Sequence, residues 1–483
     1  MVKLTQPHTS KQANKQTNNQ INKKANKPCI FYTHSHSHYC FLTMGRGMCV
    51  GLSALKNVSE LGPPSSYALS TWKEKGLDDI QHHRPALNFG SHVSWYYAGF
   101  SSITNVSDGP LAAHDQNLTS GDDRAAMLFA QACSEIYQDE KHRTEALTPL
   151  LQEYFELDVR GRAFSGTIPD MCVTCKSGLP VTLFEVKNEL GSGGREPLMQ
   201  TISEYANVFQ DSSAVCFNAP CLLVQLVGTT MFICGAVVTD KILVDQLCCP
   251  VSLLITPYNK HNSIRCVRYL RALKDAVHSL VKYYDGIHLA YAKPFNAPKY
   301  PTAVSNVEFL DQIKPNLFRG QWGPEKENAV IKIVQTYSVD AHRYCADSRF
   351  APALLDVQMI TPQFTAVIMK DCVGAVMLHE FLLTCSEEDR VATRSGCERA
   401  LHCLHGNGFV HGDFRGHNIL VLKESGAIQV LLIDFDWTGP ENVALYPACM
   451  NHEGIAWPQG VHVGASLRKE HDLVFLERHF QKR

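Results

Sequence analysis

The chain has 483 residues, a formal net charge of −2, 45% hydrophobic residues and 19% charged residues. That length accommodates two or three domains, each able to bury a core. The near-neutral balance excludes a protein that grips nucleic acid or an anionic membrane through its overall charge, leaving only local basic grooves for that purpose.

Residues 1–28 are rich in Lys, Asn and Gln and lack the pattern of a secretory leader. The 18 cysteines are scattered, several in apolar runs (Cys216, Cys221, Cys234, Cys385). Together these features predict reduced thiols in an intracellular protein, cytoplasmic or nuclear, rather than a disulfide framework. Residues 1–60 read as a disordered tail dispensable for folding. The alternate histidines His34, His36 and His38 read as part of that solvated tail rather than a metal site. Residues 61–115, with Pro, Ser and Gly clusters and little period, read as an extended connection.

From Ser120 the pattern becomes helical: Ala125, Leu128, Phe129, Ala132 and Ile136 follow one face, and Leu147, Leu150, Leu151 and Tyr154 a second. Two strand-like stretches follow around Lys176-Ser177-Gly178, then a Gly-rich loop at 191–194 and a helix from Glu196 to Phe209. The uncharged run 212–239 carries Gln225, Gly228, Thr229 and Thr230 at its middle, so it predicts a buried hairpin rather than a membrane span. A long amphipathic helix, capped by Asn262 or Ser263, closes a domain placed at 116–290.

Within it, GTIPDMCVTCKSGLPVTLFEVKNE (166–189) puts Asp170 before the first strand and Glu185-x-Lys187 on the second. Alternation along a strand turns Glu185 and Lys187 to one side and Val186 to the other. Two acids beside a lysine suit Mg²⁺-assisted phosphodiester hydrolysis: carboxylates hold the metal, and the lysine orients or deprotonates the water. The order helix, strand with Asp, strand with Glu-x-Lys, helix resembles the PD-(D/E)xK nuclease superfamily. The resemblance implies a restriction-endonuclease-like α/β fold, Mg²⁺ or Mn²⁺ on Asp170 and Glu185, catalysis by Asp170, Glu185 and Lys187, and DNA as a partner. Gln200 and Tyr205 resemble a further motif of some branches, with a spacing one residue longer. An upstream acid is expected from Glu135 or Glu140. Cys172-x-x-Cys175 has no second pair nearby and reads as packed small residues.

Three prolines at 292–306 mark a linker, placed at 291–304, and a second α/β unit runs from 305 to 483. AVIKIV sets Lys332 in an apolar strand, where an ammonium needs a partner. FVHGDFRGHNILVL (409–422) places His411, Asp413 and Asn418 on a polar loop between apolar runs, and a later strand ends in Asp434-Phe435-Asp436. Phosphoryl transfer needs such a set: one carboxylate takes the proton of the attacking hydroxyl, while a second carboxylate and an amide oxygen hold Mg²⁺ on nucleotide phosphates. His411-x-Asp413 with Asn418, followed by Asp434-Phe435-Asp436, resembles the protein-kinase-like superfamily. With LIDFDWTG, ALYP, GIAWP and EHDLVFLERHF it looks like the atypical kinase-like domains of fungal proteins.

This second resemblance implies a bilobal kinase-like domain with a shortened C-lobe and ATP with Mg²⁺ or Mn²⁺ as cofactors. It makes Asp413 and Lys332 catalytic, with Asp413 the proton acceptor, Lys332, Asn418 and Asp434 the nucleotide-binding residues, Asn418 and Asp434 the metal ligands, and Asp472 the brace beneath the loop. It also assigns 367–374 to the hinge, expects Lys332 to pair with Asp340 or Asp347 on the next helix, and gives His411 a bracing role. Asp436 reads equally as a cap or a ligand. In LFRGQWGPEKEN, Gly320 and Gly323 stand as a reduced Gly-rich loop. A nuclease-like module before a kinase-like one resembles Crinkler-type effectors.

The sequence therefore predicts an ATP/Mg²⁺-dependent phosphotransferase acting on a protein or small-molecule hydroxyl, fused to a nuclease-like domain. Two alternatives stand beside it: a pseudokinase that binds or regulates partners, and a metal-dependent DNA nuclease with an inactive kinase-like module.

Overall fold

The computed structural model describes residues 90–106, 117–164, 166–189, 196–210, 218–287, 300–448 and 450–481, with positions 54, 55, 58, 79–82 and 115. The expectations for residues 1–53, for most of 61–89 and 107–114, for the loop at 191–194 and for the linker over 288–299 lie outside these residues. Ala54, Leu55 and Val58 correct the expected tail: all three are buried, and Leu55 and Val58 join the central core. The low-complexity stretch that motivated the tail ends well before them.

Helix α1 (Ser120–Ser134) starts where Thr119 and Asp122 cap one another: the Thr119 hydroxyl accepts from Asp122 N and the Asp122 carboxylate accepts from Thr119 N. Helix α2 (Glu140–Phe155) follows, capped by Asp139. A sheet of eight strands is built from β1 (Val159–Arg160), β2 (Met171–Thr174), β3 (Pro180–Lys187), β4 (Cys221–Val227), β5 (Thr230–Val238) and β6 (Ile242–Gln246), with short strands at Ile80–Gln81 and Val251–Ser252. The β2–β3 hairpin is antiparallel. β3 and β4 are parallel, joined through helix α3 (Pro197–Phe209), as a βαβ crossover requires. The expected uncharged hairpin is β4–β5, paired antiparallel around Gly228. Among the described residues no helix is long and apolar enough to cross a membrane.

Helix α4 (Lys260–Asp285) buries Cys266, Leu270, Leu273, Val277, Leu280 and Tyr284, a stripe at three- and four-residue spacing. Its cap is Asn259, whose side chain accepts from Asn262 N. Asn262 instead donates to the carbonyls of Ser252 and Leu254, tying the helix start to the sheet.

The C-terminal unit opens with a five-stranded antiparallel sheet of β7 (Val307–Lys314), β8 (Leu317–Trp322), β9 (Glu327–Val334), β10 (Leu354–Thr361) and β11 (Phe364–Lys370), ordered β10-β11-β9-β8-β7. Helix α5 (Val339–Asp347) lies between β9 and β10. A helical portion follows with α6 (Glu387–Gly406), the hairpin of β12 (Ile419–Glu424) and β13 (Ala427–Leu432), and α7 (Lys469–Phe480). Gly320 corrects the expected Gly-rich loop. It sits inside β8, where a Cβ would lie 2.8 Å from the Glu308 carbonyl on β7, and Gly323 forms the β8–β9 turn. The β7–β8 turn has no glycine; it reads Lys314-Pro315-Asn316-Leu317.

The two sheets do not have separate cores. Phe318, Ala329, Ile331, Ile333, Phe364, Ala366 and Ile368 of the small sheet belong to the same apolar cluster as the interior of the large one. Residues 90–106 lie between them. The Trp95 ring meets Phe364 edge-on at 5.5 Å, and His92 lies 5.0 Å from the same ring. The Trp95 and Tyr96 carbonyls accept from Ala303 N and the Thr302 hydroxyl. Ser91 Oγ donates to the Pro315 carbonyl in the β7–β8 turn, and the Asp245 carboxylate on β6 accepts from Val93 N at 2.6 Å. Phe364→Ala is expected to lower the unfolding free energy of the whole chain by about 3–5 kcal/mol. Chemical denaturation would show this as one shifted transition; an unmoved midpoint would mean the two sheets unfold independently.

Candidate active sites

The C-terminal constellation gathers around the β9 lysine. The part-buried Lys332 ammonium lies 2.9 Å from Asp434 Oδ1 and 2.6 Å from Asp436 Oδ1. The expected partners on α5 are not used. Asp340 and Asp347 are both exposed, and Asp340 pairs with Arg343 one turn on. The α5 face that turns inward carries His342, which stacks on Phe435 at 4.9 Å; His411 approaches the same ring at 5.6 Å. Phe435 is thus held between two imidazoles while the acids on either side of it face one ammonium. Asp434 adopts φ +67°, a left-handed conformation that costs a residue with a side chain about 1–2 kcal/mol.

The polar loop between α6 and β12 is braced from below. The buried Asp472 carboxylate on α7 accepts from His411 N at 2.8 Å and Gly412 N at 3.0 Å, and it contacts His405 Nε2 at 2.9 Å. His411 Nε2 meets the Ile433 carbonyl at 3.1 Å, joining the loop to the strand that delivers Asp434. Asp413 is buried and held on three sides: Arg415 engages both of its oxygens through Nε and Nη2, and Asn418 Nδ2 donates to Oδ2 at 2.7 Å. Because the Asn418 nitrogen is committed to Asp413, its oxygen is the end available to a cation. That oxygen and the Asp434 carboxylate are hard donors of the kind Mg²⁺ prefers. Burial raises the Asp434 carboxyl, but Lys332 more than offsets it and holds the group below its usual range. Burial pushes Asp436 up to about 7, with the neighbouring Asp434 charge adding to the shift. Arg415 extends over the Trp457 ring at 5.6 Å, and Trp457 stacks on Trp437 at 5.8 Å, forming an aromatic wall beside Asp413. A cavity of about 560 Å³ borders residues 370–373; its lining includes Leu422 and Leu431 but none of Lys332, Asp413, Asn418 or Asp434.

The central constellation is drier. Glu185 is fully buried, and Lys187 lies beside it on the same side of β3, with Nζ 2.6 Å from Glu185 Oε1 and 3.1 Å from Glu140 Oε2. Apart from this ammonium, neither Glu185 carboxylate oxygen has a hydrogen-bond donor. Asp170 Oδ2 accepts from Val186 N at 2.8 Å, which pins the acid against the strand. Of the two upstream candidates, Glu140 reaches the site and the exposed Glu135 does not. Tyr205 is not at the site: it is buried and donates to the Ala219 carbonyl.

The residue that sequence reasoning missed is Glu204. It lies one turn beyond Gln200, is buried, and has an unpartnered Oε2. Its signal was an isolated acid in the apolar run ISEYANVF. Burial, then the charges of Glu185 and Asp170, push Glu204 up to about 9; burial and Asp170 push Glu185 up to about 8. Burial also raises Asp170. For Lys187, burial acts downward, but Glu185 and Glu140 outweigh it and hold the ammonium above its usual value. Among the described residues, no three His, Cys, Asp or Glu side chains are grouped closely enough to hold a metal ion. Cys172 and Cys175 are buried in the same hairpin, Cys172 donating to the Arg160 carbonyl.

No protein-family model matches this chain, and no curated protein matches it. One solved structure to which it is similar is the Cydia pomonella granulovirus kinase PK-1, at 19% identity and a TM-score of 0.24, over 28% of this chain and 53% of that one. The chain thus spans about half the length of that kinase.

The central acids predict a pH dependence of stability. Glu185 and Glu204 stay protonated when folded but ionise above about 4.5 when unfolded. Their contribution is fully present below that pH and falls as pH rises towards 8 and 9. Denaturant unfolding should record the decline, and Glu204→Gln should reduce its slope by about 1 kcal/mol per pH unit. An unchanged slope would mean that Glu204 is solvated.

Proposed function

We propose that the C-terminal unit is an ATP-dependent, protein-kinase-like phosphotransferase. The observation that carries this reading is that Lys332 from the sheet meets Asp434 at the strand end, while the neighbouring Ile433 is bonded to Asn418 and His411 of the braced loop that carries Asp413. Lys332 would hold nucleotide phosphate oxygens. The Asn418 oxygen and the Asp434 carboxylate would hold Mg²⁺ or Mn²⁺, which when bound offsets charge on the phosphates. Asp413 would accept the proton of an acceptor hydroxyl, on a protein or a small molecule. Its contact with Asn418 orients it, and Arg415 engages both of its oxygens. The Trp437–Trp457 wall beside Arg415 gives the acceptor side an apolar, aromatic surface.

A second reading concerns the central sheet and is favoured by the buried Glu185, whose carboxylate meets no hydrogen-bond donor besides the Lys187 ammonium. Asp170, Glu185, Glu140 and Lys187 then form a phosphodiester-hydrolysing site of the PD-(D/E)xK kind acting on DNA. The fit to a metal is partial, because Lys187 Nζ already lies against Glu185 and Glu140 and, among the described residues, no three acids are grouped closely enough to hold an ion. In this site Lys187 would orient the attacking water and Glu185 would anchor the cation. A pseudokinase that only binds nucleotide fits the same C-terminal geometry if acceptor access to Asp413 is closed by Arg415.

Two experiments test these readings on the full chain. Thermal shift with ATP should show stabilisation that requires Mg²⁺ or Mn²⁺, and Asp434→Ala should abolish the metal requirement together with most of the shift; no shift with either metal would remove the phosphotransferase reading. For the central site, nicking of supercoiled DNA should require metal. Lys187→Ala should lower its rate by about 10²–10³-fold with metal binding retained, whereas Glu185→Ala should lose both. Equal nicking by wild type and both variants would assign the strand pair a purely structural role.

A further inference from the structure

The position after Phe435 carries a second carboxylate, and its side chain points at the same ammonium as the first. Lys332 Nζ is closer to Asp436 Oδ1, at 2.6 Å, than to Asp434 Oδ1, at 2.9 Å. The Asp436 backbone is itself fixed, its carbonyl accepting from the Thr336 hydroxyl at 3.2 Å. Counting formal charges, one ammonium against two carboxylates leaves the cluster at −1. The nearby Asp413 carboxylate is already matched by Arg415.

We propose that Asp436 makes the C-terminal cleft selective for a cation-chelated nucleotide polyphosphate over the free polyphosphate. This rests on the phosphotransferase reading and deepens it. A free triphosphate approaching Lys332 meets an ammonium already engaged by two carboxylates, and its oxygens are repelled by both. A divalent cation on the triphosphate reverses the balance. The carboxylates then face positive charge, the ammonium turns to phosphate oxygens, and the cluster with its cation stands at +1. With an uncharged residue at 436, Lys332 faces Asp434 alone. The formal charge is then zero, and the free triphosphate loses one repulsive partner at contact distance.

The test compares wild type, Asp436→Asn and Asp436→Ala as full chains at pH 8. Affinity for ATP is measured by displacement of a fluorescent ATP analogue, once with MgCl₂ and once with EDTA. Unfolding midpoints confirm that each variant folds. Wild type should bind ATP with Mg²⁺ and weakly in EDTA. Both variants should bind ATP in EDTA about tenfold or more tightly than wild type, with a smaller change in Mg²⁺, so that the ratio of the two affinities collapses. The proposal is overturned if the variants bind ATP in EDTA no better than wild type. It is equally overturned if they lose binding in both conditions, which would make Asp436 an obligatory ligand. If neither wild type nor variants bind ATP under any condition, the phosphotransferase reading itself falls. That result is distinct from a wild type that binds Mg²⁺-ATP and variants that show no gain in EDTA.

Discussion

The ammonium of Lys332 is the pivot of the C-terminal unit. It is rooted in β9, whose neighbouring residues Ile331 and Ile333 face the opposite way into the shared core, so its position is set by packing far from the cleft. Its partners come from the chain after β13, about a hundred residues later. A part-buried ion pair is a modest source of net stability, because desolvation of the charges offsets much of their attraction. What the pair supplies is position. Once Lys332 is fixed, Asp434 and Asp436 are fixed, and Phe435 between them is committed to its slot between His342 and His411. His411 belongs to the loop carrying Asp413, and that loop rests on Asp472. Sheet, loop and C-terminal helix are thereby registered to one another through a single nitrogen.

The two acid–lysine clusters solve the same electrostatic problem differently. At Lys332 the lysine is shared by two carboxylates whose surroundings pull their proton affinities apart, one downward and one upward. At Lys187 the acids outnumber the lysine within a dry interior, and burial drives Asp170, Glu185 and Glu204 in the same upward direction. Carboxyls held in that way destabilise the fold at neutral pH, and an apolar side chain in place of Glu204 would pack at lower cost. Their retention at the mouth of a βαβ crossover is a reason to look for chemistry there.

Much of this was legible in the sequence where the signal is local. Asp413, Asn418, Asp434 and the Glu185-x-Lys187 step lie on short segments whose type is set by apolar runs and turns, and each occupies the expected element. Asp472 was legible because its segment resembles a known bracing position. What failed required contacts between distant parts of the chain. Lys332 was expected to find its acid on α5, but the inward face of that helix carries His342, whose ring fills the place against Phe435. Gly320 was read as the remnant of a reduced Gly-rich loop, whereas it answers to a close backbone approach between neighbouring strands. The Asn262 cap failed by one turn, because Asn259 had the free geometry and Asn262 was needed by the sheet. Glu204 was overlooked for its neighbours Gln200 and Tyr205, since spacing alone does not say which face of a helix meets an active site. The boundary near residue 300 was read from proline content, and composition says nothing about an apolar surface that two sheets hold in common.

That common surface bears on how such a chain changes over evolutionary time. Segment 90–106 precedes the large sheet in sequence, yet it supplies Trp95 and His92 to the ring of Phe364 in the small one. A crossover event in the gene near the codons for residue 300 would hand the C-terminal half to a new host without the aromatic residues that cover its outer face. The recipient would expose Phe318, Ile331, Ile333 and Phe364 unless it provided a replacement. The two halves are therefore expected to be inherited as a linked pair, with insertions and exchanges accumulating at the periphery, such as the turn after β12 or the segment following Trp437, rather than at the apparent seam.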